Sequence, residues 1–568
     1  MALIDLHNLS VDFRTENGTL HAVNDISFEL EAGKTIGIVG ESGSGKSVTS
    51  LALMGLLPAG ISKIVSGSAM FTCKDGQIIN LFTLQEKQYQ KIRGNEIAMI
   101  FQEPMTSLNP VYKCGRQVAE AIKLHQKLRG KELKAQVLQW FEEVFLPDPE
   151  KAYQSFPHEL SGGQRQRVMI AMAMSCKPAL LIADEPTTAL DVSVQKNILE
   201  LMKQLQQKFN MSIIFISHDL GVIAEIADRV LVVYKGNVVE QGLVRDIFKN
   251  PQHPYTKGLL ACRPKLDVRY KRLPTVESYL KGNADDFNQI ITQEERNKSL
   301  ETIINNPPVL EVDGLKTYFK LNKGVFSFTK KQFKAVDDVS FKVYPGETLG
   351  LVGESGCGKT SLGRTVLRLI EPTEGKIVFF GNEITKYSQA KLRKSRKDIQ
   401  IIFQDPYSSL NPRLTVGKAI TEAMQIHHVG KNATERKQLC YNLLNEVNLD
   451  ESYYKRYPHE LSGGQRQRIC IARALALKPK FIICDESVSA LDVSIQAQVL
   501  NLLNKLKKEY HFSVIFISHD MSVVKYMSDR LMVMKDGKIA EYGDPDEICN
   551  TPQTEYTRQL IDSIPKGL

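Results

Sequence analysis

The sequence predicts an α/β protein built twice: two domains, each on a mainly parallel sheet with right-handed crossovers. Three observations carry that expectation. A glycine-rich loop occurs in two copies, GESGSGKS at 40–47 and GESGCGKT at 353–360, each directly after an apolar run. Later motifs repeat in fixed register: Ser161 and Ser462, Asp184 and Asp485, and His218 and His519 are each 301 positions apart. Apolar runs of strand length also alternate with stretches of helical spacing in both halves. The expected boundaries are 2–265 for the first domain, 266–306 for a linker and 307–568 for the second domain.

Element by element, the first copy opens with LIDLHNLSVDF and HAVNDISFEL, read as strands. TIGIVG at 35–40 is a buried strand, and SVTSLALMGLL at 47–57 a helix. Residues 131–145 read as helical, and VMIAMAMS after 167 as a buried helix. ALLIAD at 179–184 and SIIFIS at 212–217 are short apolar runs, hence buried strands. Between them Val194, Ile198, Leu201 and Leu205 recur at helical spacing. The linker is polar, with partial helix expected at most, ending at Pro307 and Pro308. In the second copy KGVFSFTKKQF at 323–333 is an extra segment, expected as a hairpin on its own domain. Both copies close alike, with PQHPYTKGLL and PQTEYTRQL, read as terminal helices with capped starts.

The 568 residues are 42% hydrophobic and 24% charged, which fits several soluble globular domains. No apolar run reaches the ~18 residues of a membrane span. The first residues, MALIDLHNLS, do not read as a secretory signal. Nine cysteines with no C-x-x-C pair argue against a disulfide framework or a zinc site. The net charge of +9 is modest for this length and names no partner. The basic run KLRKSRK at 391–397 reads as a solvated helix face, and no nucleic-acid partner is expected.

The paired loops match G-x-x-x-x-G-K-[ST], which cradles phosphate. Glycines let the backbone turn and approach a ligand closely, and successive N–H groups line an anion-binding concavity. The helix that follows adds its N-terminal dipole. The candidate nucleotide contacts are Gly40, Glu41, Ser42, Gly43, Ser44, Gly45, Lys46 and Ser47, and Gly353, Glu354, Ser355, Gly356, Cys357, Gly358, Lys359 and Thr360. Lys46 and Lys359 supply charge at the β/γ-phosphates, and the Ser47 and Thr360 hydroxyls suit Mg²⁺.

Asp184–Glu185 and Asp485–Glu486 each end an apolar strand. The aspartate is the candidate Mg²⁺ holder and the glutamate the candidate general base, a role typically worth 10²–10⁴-fold. His218 and His519, each after an FIS triplet, are candidate γ-phosphate contacts. Gln102 and Gln404 follow apolar triplets and are candidate Mg²⁺ ligands that sense the γ-phosphate. Ser161, Gly162, Gly163 and Gln164, with Ser462, Gly463, Gly464 and Gln465, form a second anion-receiving helix start in each copy. Two anion sites per copy make sense if the copies pair head to tail.

Together, GESGSGKS, Gln102, LSGGQ, LLIADE, TALD and His218, with their repeat, resemble the ATP-binding cassette (ABC) family over nearly the whole chain except the linker. The resemblance implies P-loop ATPase domains with an antiparallel β part and a helical subdomain beside the parallel core. It implies ATP and Mg²⁺ as cofactors, and closure on ATP. It makes Phe13 and Phe319 the aromatics that stack on adenine, and Asp191 and Asp492 the residues that couple the two sites. QEPMTSLNP, QDPYSSLNP and the HPYT tail look like the peptide-importer branch, whose two ATPase types are here fused, as in microcin C and glutathione importers. That branch implies two membrane permease subunits, an extracytoplasmic binding protein, pairing of the two cassettes within one chain, and a peripheral place on the cytoplasmic face of the inner membrane. Ser487 stands where the first copy has Pro186. Only Cys262 lies near the position of a cysteine cluster found in some relatives, so no iron–sulfur cluster is expected. The alternative is a tandem-cassette translation factor that binds ribosomes, which usually carries a longer, strongly charged helical linker. A DNA-repair or chromosome ATPase is the third class, but neither heptads nor C-x-x-C pairs occur.

Overall fold

In the computed structural model, the described residues are 2–15, 18–102, 107–188, 190–283, 287, 289–320 and 332–564. Most of the 323–333 segment lies outside them, as do Ala189 of TALD and residues 103–106 of the first glutamine loop. Residues 2–190 with 194–260 form one compact unit, and 261–564 another. Among the described residues no helix is long and apolar enough to cross a membrane.

The first unit has two sheets. Strands β1 (Ala2–Thr15), β2 (Gly18–Glu31), β4 (Ser62–Thr72) and β5 (Ile78–Asn80) make an antiparallel sheet in the order β2-β1-β4-β5. The larger sheet takes β3 (Thr35–Val39), β6 (Ile97–Ile100), β7 (Leu180–Asp184), β8 (Ser212–Ser217), β9 (Arg229–Tyr234) and β10 (Asn237–Leu243) in the order β10-β9-β3-β8-β7-β6. All its pairings are parallel except β9 with β10. Strands β3, β7 and β8 are buried at every residue, which is why they read as unbroken apolar runs. Ile4, Leu6 and Phe71 of the antiparallel sheet share one core with Ile38, Ile182 and Ile214 of the larger sheet. Replacing the buried Ile38 by Ala would cost about 2–5 kcal/mol.

The helices stop where their ends dictate. The one after the first loop is Lys46–Leu53, shorter than the run 47–57 expected, because Gly55 takes φ 60 and turns the chain. The Leu56 N–H then caps Leu51 O at 2.8 Å and the Gly55 N–H caps Ala52 O at 3.1 Å. The helix expected over 131–145 runs Gly130–Glu143, because Phe145 takes φ 54 and the Leu146 N–H caps Phe141 O. It joins Cys114–Gln126, Pro149–Gln154 and Gly162–Met174 in the helical part inserted between β6 and β7. Val192–Phe209 buries Ile198, Leu199, Leu201, Met202 and Leu205, a stripe of helical period.

The second unit repeats this plan. Strands β11 (Leu310–Lys320), β12 (Gln332–Val343), β14 (Glu374–Phe379) and β15 (Asn382–Glu383) form the antiparallel sheet, ordered β12-β11-β14-β15. The second sheet takes β13 (Thr348–Val352), β16 (Ile399–Ile402), β17 (Phe481–Asp485), β18 (Ser513–Ser518), β19 (Arg530–Lys535) and β20 (Lys538–Gly543) in the order β16-β17-β18-β13-β19-β20. The basic run at 391–397 begins on the short helix Gln389–Ser395, where Lys391, Arg393 and Lys394 are exposed, as a solvated face requires.

The connecting stretch forms helices Val276–Leu280 and Gln293–Ile304, the partial helix expected. The sequence did not disclose its anchorage on the second unit. Asn501 clamps Leu273, accepting its N–H at 2.9 Å and donating to its carbonyl at 2.8 Å. Arg296 pairs with Asp544 at 2.7 Å and with Asp546, and Lys525 also pairs with Asp546, at 2.8 Å.

Candidate active site

A sheet whose strands run parallel delivers all their carboxyl ends to one edge, and ligand sites in such sheets form there. In the first unit that edge receives the phosphate loop after β3, Gln102 after β6, Asp184 and Glu185 from β7, and His218 after β8. Motifs far apart in sequence meet because the crossovers return every strand in one direction.

The loop at 40–47 is tightly held. Lys46 is buried, and its Nζ donates to Gly40 O at 2.7 Å and Glu41 O at 2.8 Å. The Ser44 N–H bonds Glu41 O at 3.1 Å, and Ser44 O accepts the Gly236 N–H at 3.0 Å. Gly45 has φ 104, and a Cβ there would stand 2.6 Å from Ala22 O. Only glycine fits both the turn and that approach. The copy at 353–360 repeats each feature. Lys359 donates to Gly353 O at 2.7 Å and Glu354 O at 2.9 Å, and Cys357 O accepts the Gly537 N–H at 2.9 Å.

Around Glu185 three side-chain donors converge on one oxygen, Oε2. Gln102 Nε2 lies at 3.2 Å, Thr188 Oγ1 at 2.9 Å and His218 Nδ1 at 3.2 Å. Burial pushes the Glu185 carboxyl up. The His218 hydrogen bond and charge, the Lys46 charge and the Thr188 hydroxyl outweigh that and hold it down to about 2. Asp184 shifts the other way: burial raises its carboxyl, the Ser47 hydroxyl holds it back, and the Glu185 charge raises it further. Its Oδ1 is buried with no protein hydrogen-bond partner, an acceptor oriented for a cation.

In the second unit Gln404 Nε2 donates to Glu486 Oε2 at 2.7 Å, and His519 Nδ1 lies 3.5 Å from the same oxygen. Lys359 Nζ is 3.8 Å from Oε1. Burial again raises the carboxyl, and His519 and Lys359 overturn it, so Glu486 lies below the usual range. Burial pulls His519 down, but Glu486 more than restores it, leaving the imidazole above its ordinary value. Thr360 Oγ1 donates to Asp485 Oδ1 at 3.0 Å.

Two features escaped the sequence. Glu185 and Glu486 occupy the left-handed region, at φ 47 and 46. Such a conformation costs a non-glycine residue on the order of 1–2 kcal/mol. The neighbouring strand holds it, since the Glu185 N–H bonds Ile216 O and the Glu486 N–H bonds Ile517 O, both at 3.0 Å. No residue type announces this turn. The second feature is a tyrosine in each tail: Tyr255 Oη accepts the Glu41 N–H, and Tyr556 Oη the Glu354 N–H, both at 2.9 Å. Here the HPYT-type tail did carry a signal.

The remaining predicted residues lie at helix starts and on the antiparallel sheets. Ser161 and Ser462 are N-caps closed by capping boxes, with Gln164 and Gln465 returning to the serine N–H at 3.0 Å each. Asp492 is the N-cap residue of helix Val493–Tyr510, and Asp191 directly precedes Val192–Phe209. Phe13 on β1 packs partly buried on the core of the first unit, while Phe319 on β11 is half-exposed. Cys262 is buried and forms no disulfide. Among the described residues no group of three or more His, Cys, Asp or Glu side chains is placed to hold a metal by itself.

Two family descriptions match the chain: ABC transporter, over residues 23–188 and 336–489, and the C-terminal region of oligopeptide/dipeptide transporters, over 239–289 and 540–567. The latter spans both tails. The chain is similar to the glutathione import ATP-binding protein GsiA of Pectobacterium atrosepticum, with 48% identity covering 99% of this chain and 89% of that one. It is 47% identical to the protein of that name from Escherichia coli K12, with the same shares covered.

Proposed function

This chain belongs to the ABC transporter family, and we propose that its two carboxyl-edge sites power uptake of peptide-like compounds through separate membrane permeases. It is an ATPase, the energy-coupling subunit of an importer, and the ribosome-binding alternative is not favoured. Finer than that are the two permease subunits, an extracytoplasmic binding protein, and a place on the cytoplasmic face of the inner membrane. These proposals are supported by the oligopeptide-type tails and by relatives named for glutathione import. We read the chain as cassettes at 2–265 and 307–568 joined through 266–306.

The observation that carries the chemistry is one carboxylate oxygen in each copy facing a glutamine and a histidine. Glu185 or Glu486 takes a proton from water, whose oxygen attacks the γ-phosphorus. The bond to the β–γ bridging oxygen breaks, and ADP leaves. A carboxylate held at about 2 is a weak base. The γ-phosphate offers Gln102 and His218 new acceptors. As they turn to it, Glu185 regains basicity where the water must be deprotonated. The buried, unpartnered Asp184 Oδ1 fits Mg²⁺, which Ser47, Gln102 and Asp184 would hold, with Thr360, Gln404 and Asp485 in the second copy. When bound, Mg²⁺ would neutralise charge on the β/γ-phosphates.

Deleting the gene should abolish uptake of labelled glutathione or of a short labelled peptide, and restoring the chain should restore it. Purification from detergent-solubilised membranes should recover two multi-span proteins. Untouched uptake, with the chain sedimenting with ribosomes in an ATP-dependent way, would refute the importer role. The sequence also supports pairing of the cassettes within one chain, Lys46 working with Ser462 and Lys359 with Ser161. Disabling Lys46 and Ser462 together should then spare one site, whereas disabling Lys46 and Ser161 should cripple both. Equal residual ATPase in those two double variants would exclude that pairing.

A further inference from the structure

We propose that Tyr255 and Tyr556 are positioning residues for ATP: their hydroxyls tie each tail helix to the first turn of a phosphate loop and hold it in its receiving shape. This rests on reading 40–47 and 353–360 as the nucleotide sites.

Each tail is fixed before it reaches the loop. In the first unit the Glu240 carboxylate on β10 accepts the Gln252 N–H at 2.8 Å and the His253 N–H at 3.1 Å. His253 Nδ1 then accepts the Tyr255 N–H at 3.1 Å, and helix Pro254–Ala261 begins. Tyr255 is fully buried, its ring 4.3 Å from that of Tyr234. In the second unit Glu541 on β20 accepts the Thr554 N–H, and Thr554 Oγ1 caps the Thr557 N–H at 3.2 Å at the start of helix Glu555–Asp562. The Tyr556 ring is covered by Lys535, at 4.9 Å, where the first unit has Tyr234. The caps differ, and so do the ring partners. Both arrangements nevertheless end on the same bond, donated by the N–H of the second loop residue to a tyrosine hydroxyl oxygen, at 2.9 Å in each.

That residue's peptide groups are gripped on both sides. The Glu41 N–H goes to Tyr255, while its carbonyl accepts Lys46 Nζ at 2.8 Å and the Ser44 N–H at 3.1 Å. Glu354 repeats this with Tyr556, Lys359 at 2.9 Å and the Cys357 N–H at 3.2 Å. The hydroxyl therefore fixes the segment on which the phosphate-binding lysine rests. Without it the N–H loses its partner, the segment can rotate, and the lysine is no longer held in place. A loop formed in advance spends less free energy on ordering when nucleotide binds. Because the loss falls on binding, it should enter KM and leave kcat.

The test is Tyr255→Phe with Tyr556→Phe in the full chain. Phenylalanine keeps the ring and its packing, so only the hydroxyl is lost. KM for ATP, and the Kd for a fluorescent ATP analogue, should rise about tenfold, the size of one hydrogen bond to a partly buried amide. The kcat should change less than twofold, and amide hydrogen exchange should quicken in peptides covering 40–47 and 353–360. Unchanged KM and exchange overturn the proposal, as does a KM rise without faster exchange, which would place the effect outside the loop. Lys46→Ala with Lys359→Ala is the control. If that pair leaves analogue binding intact, the nucleotide-site reading fails. If it abolishes binding while the phenylalanine pair binds normally, only the tyrosine proposal fails.

Discussion

The two cassettes share a backbone but not the hydrogen bonds around the reactive carboxylate. Glu185 and Glu486 take almost the same left-handed φ, 47 and 46, and both lysines rest on the same two loop carbonyls. Around the carboxylate the copies part. Thr188 gives its hydroxyl to Glu185 Oε2 at 2.9 Å, whereas Ser489, its counterpart, gives its own to the main-chain oxygen of Glu486, also at 2.9 Å. The parallel sheet dictates the backbone, and single side chains tune the charge.

The largest effect tests what the copies share. Glu185→Gln with Glu486→Gln should keep ATP binding and slow hydrolysis at least ~10²-fold, read by phosphate release and analogue binding. Hydrolysis near wild type would remove both glutamates from the chemistry. The single variants probe the difference. The more strongly held Glu185 is the weaker base, so Glu486→Gln should remove the larger share of turnover. Equal losses would mean that the extra donor has no kinetic weight.

A smaller effect isolates that donor. In a Glu486→Gln background, Thr188→Val should raise the remaining turnover about fivefold, because the lost hydrogen bond, about 1 kcal/mol, is one that holds Glu185 down. In a Glu185→Gln background, Ser489→Ala should change it less than twofold, because that hydroxyl never reaches the carboxylate. If the two substitutions change turnover alike, the asymmetry between the cassettes has no functional consequence.

Much of this was legible because it depends on strand order and residue type. Fully apolar runs such as SIIFIS at 212–217 admit little but a buried strand, and their alternation with helices required parallel pairing. Parallel pairing in turn brings Gln102, Glu185 and His218 to one edge, although 83 residues separate the first two. What stayed hidden depends on local angles and on small differences between similar hydroxyls. Glutamate carries no mark of φ 47. Thr188 and Ser489 look interchangeable on paper, yet one hydroxyl points to a carboxylate and the other to a carbonyl. The connecting stretch at 266–306 read as a polar linker because an anchor such as Arg296 is itself polar, and Arg296 and the Leu273 backbone meet Asp544 and Asn501 only in three dimensions.

The smallest expected effect is on stability, and its sign follows from Glu185. A carboxyl held at about 2 in the folded chain, against an ordinary 4.5, stabilises the fold fully above 4.5. That contribution is lost as pH falls from 4.5 toward 2, and is on the order of 3 kcal/mol over the whole window. The onset is measurable in mild acid. Between pH 5 and 4 this group should account for roughly 1 kcal/mol, or about 2 °C in the thermal midpoint. Glutamine does not titrate, so Glu185→Gln should flatten the midpoint curve over that interval relative to the unsubstituted chain. Glu486→Gln should flatten it less, since Glu486 lacks the threonine hydroxyl that reaches Glu185. Above pH 6.5 the second copy adds a dependence of the opposite sign. His519, raised by Glu486, contributes stability that is full below 6.5 and lost as pH climbs through its raised value, so Glu486→Gln should alter that alkaline arm. Parallel curves for both variants at both ends would mean that neither carboxylate is held as its neighbours imply.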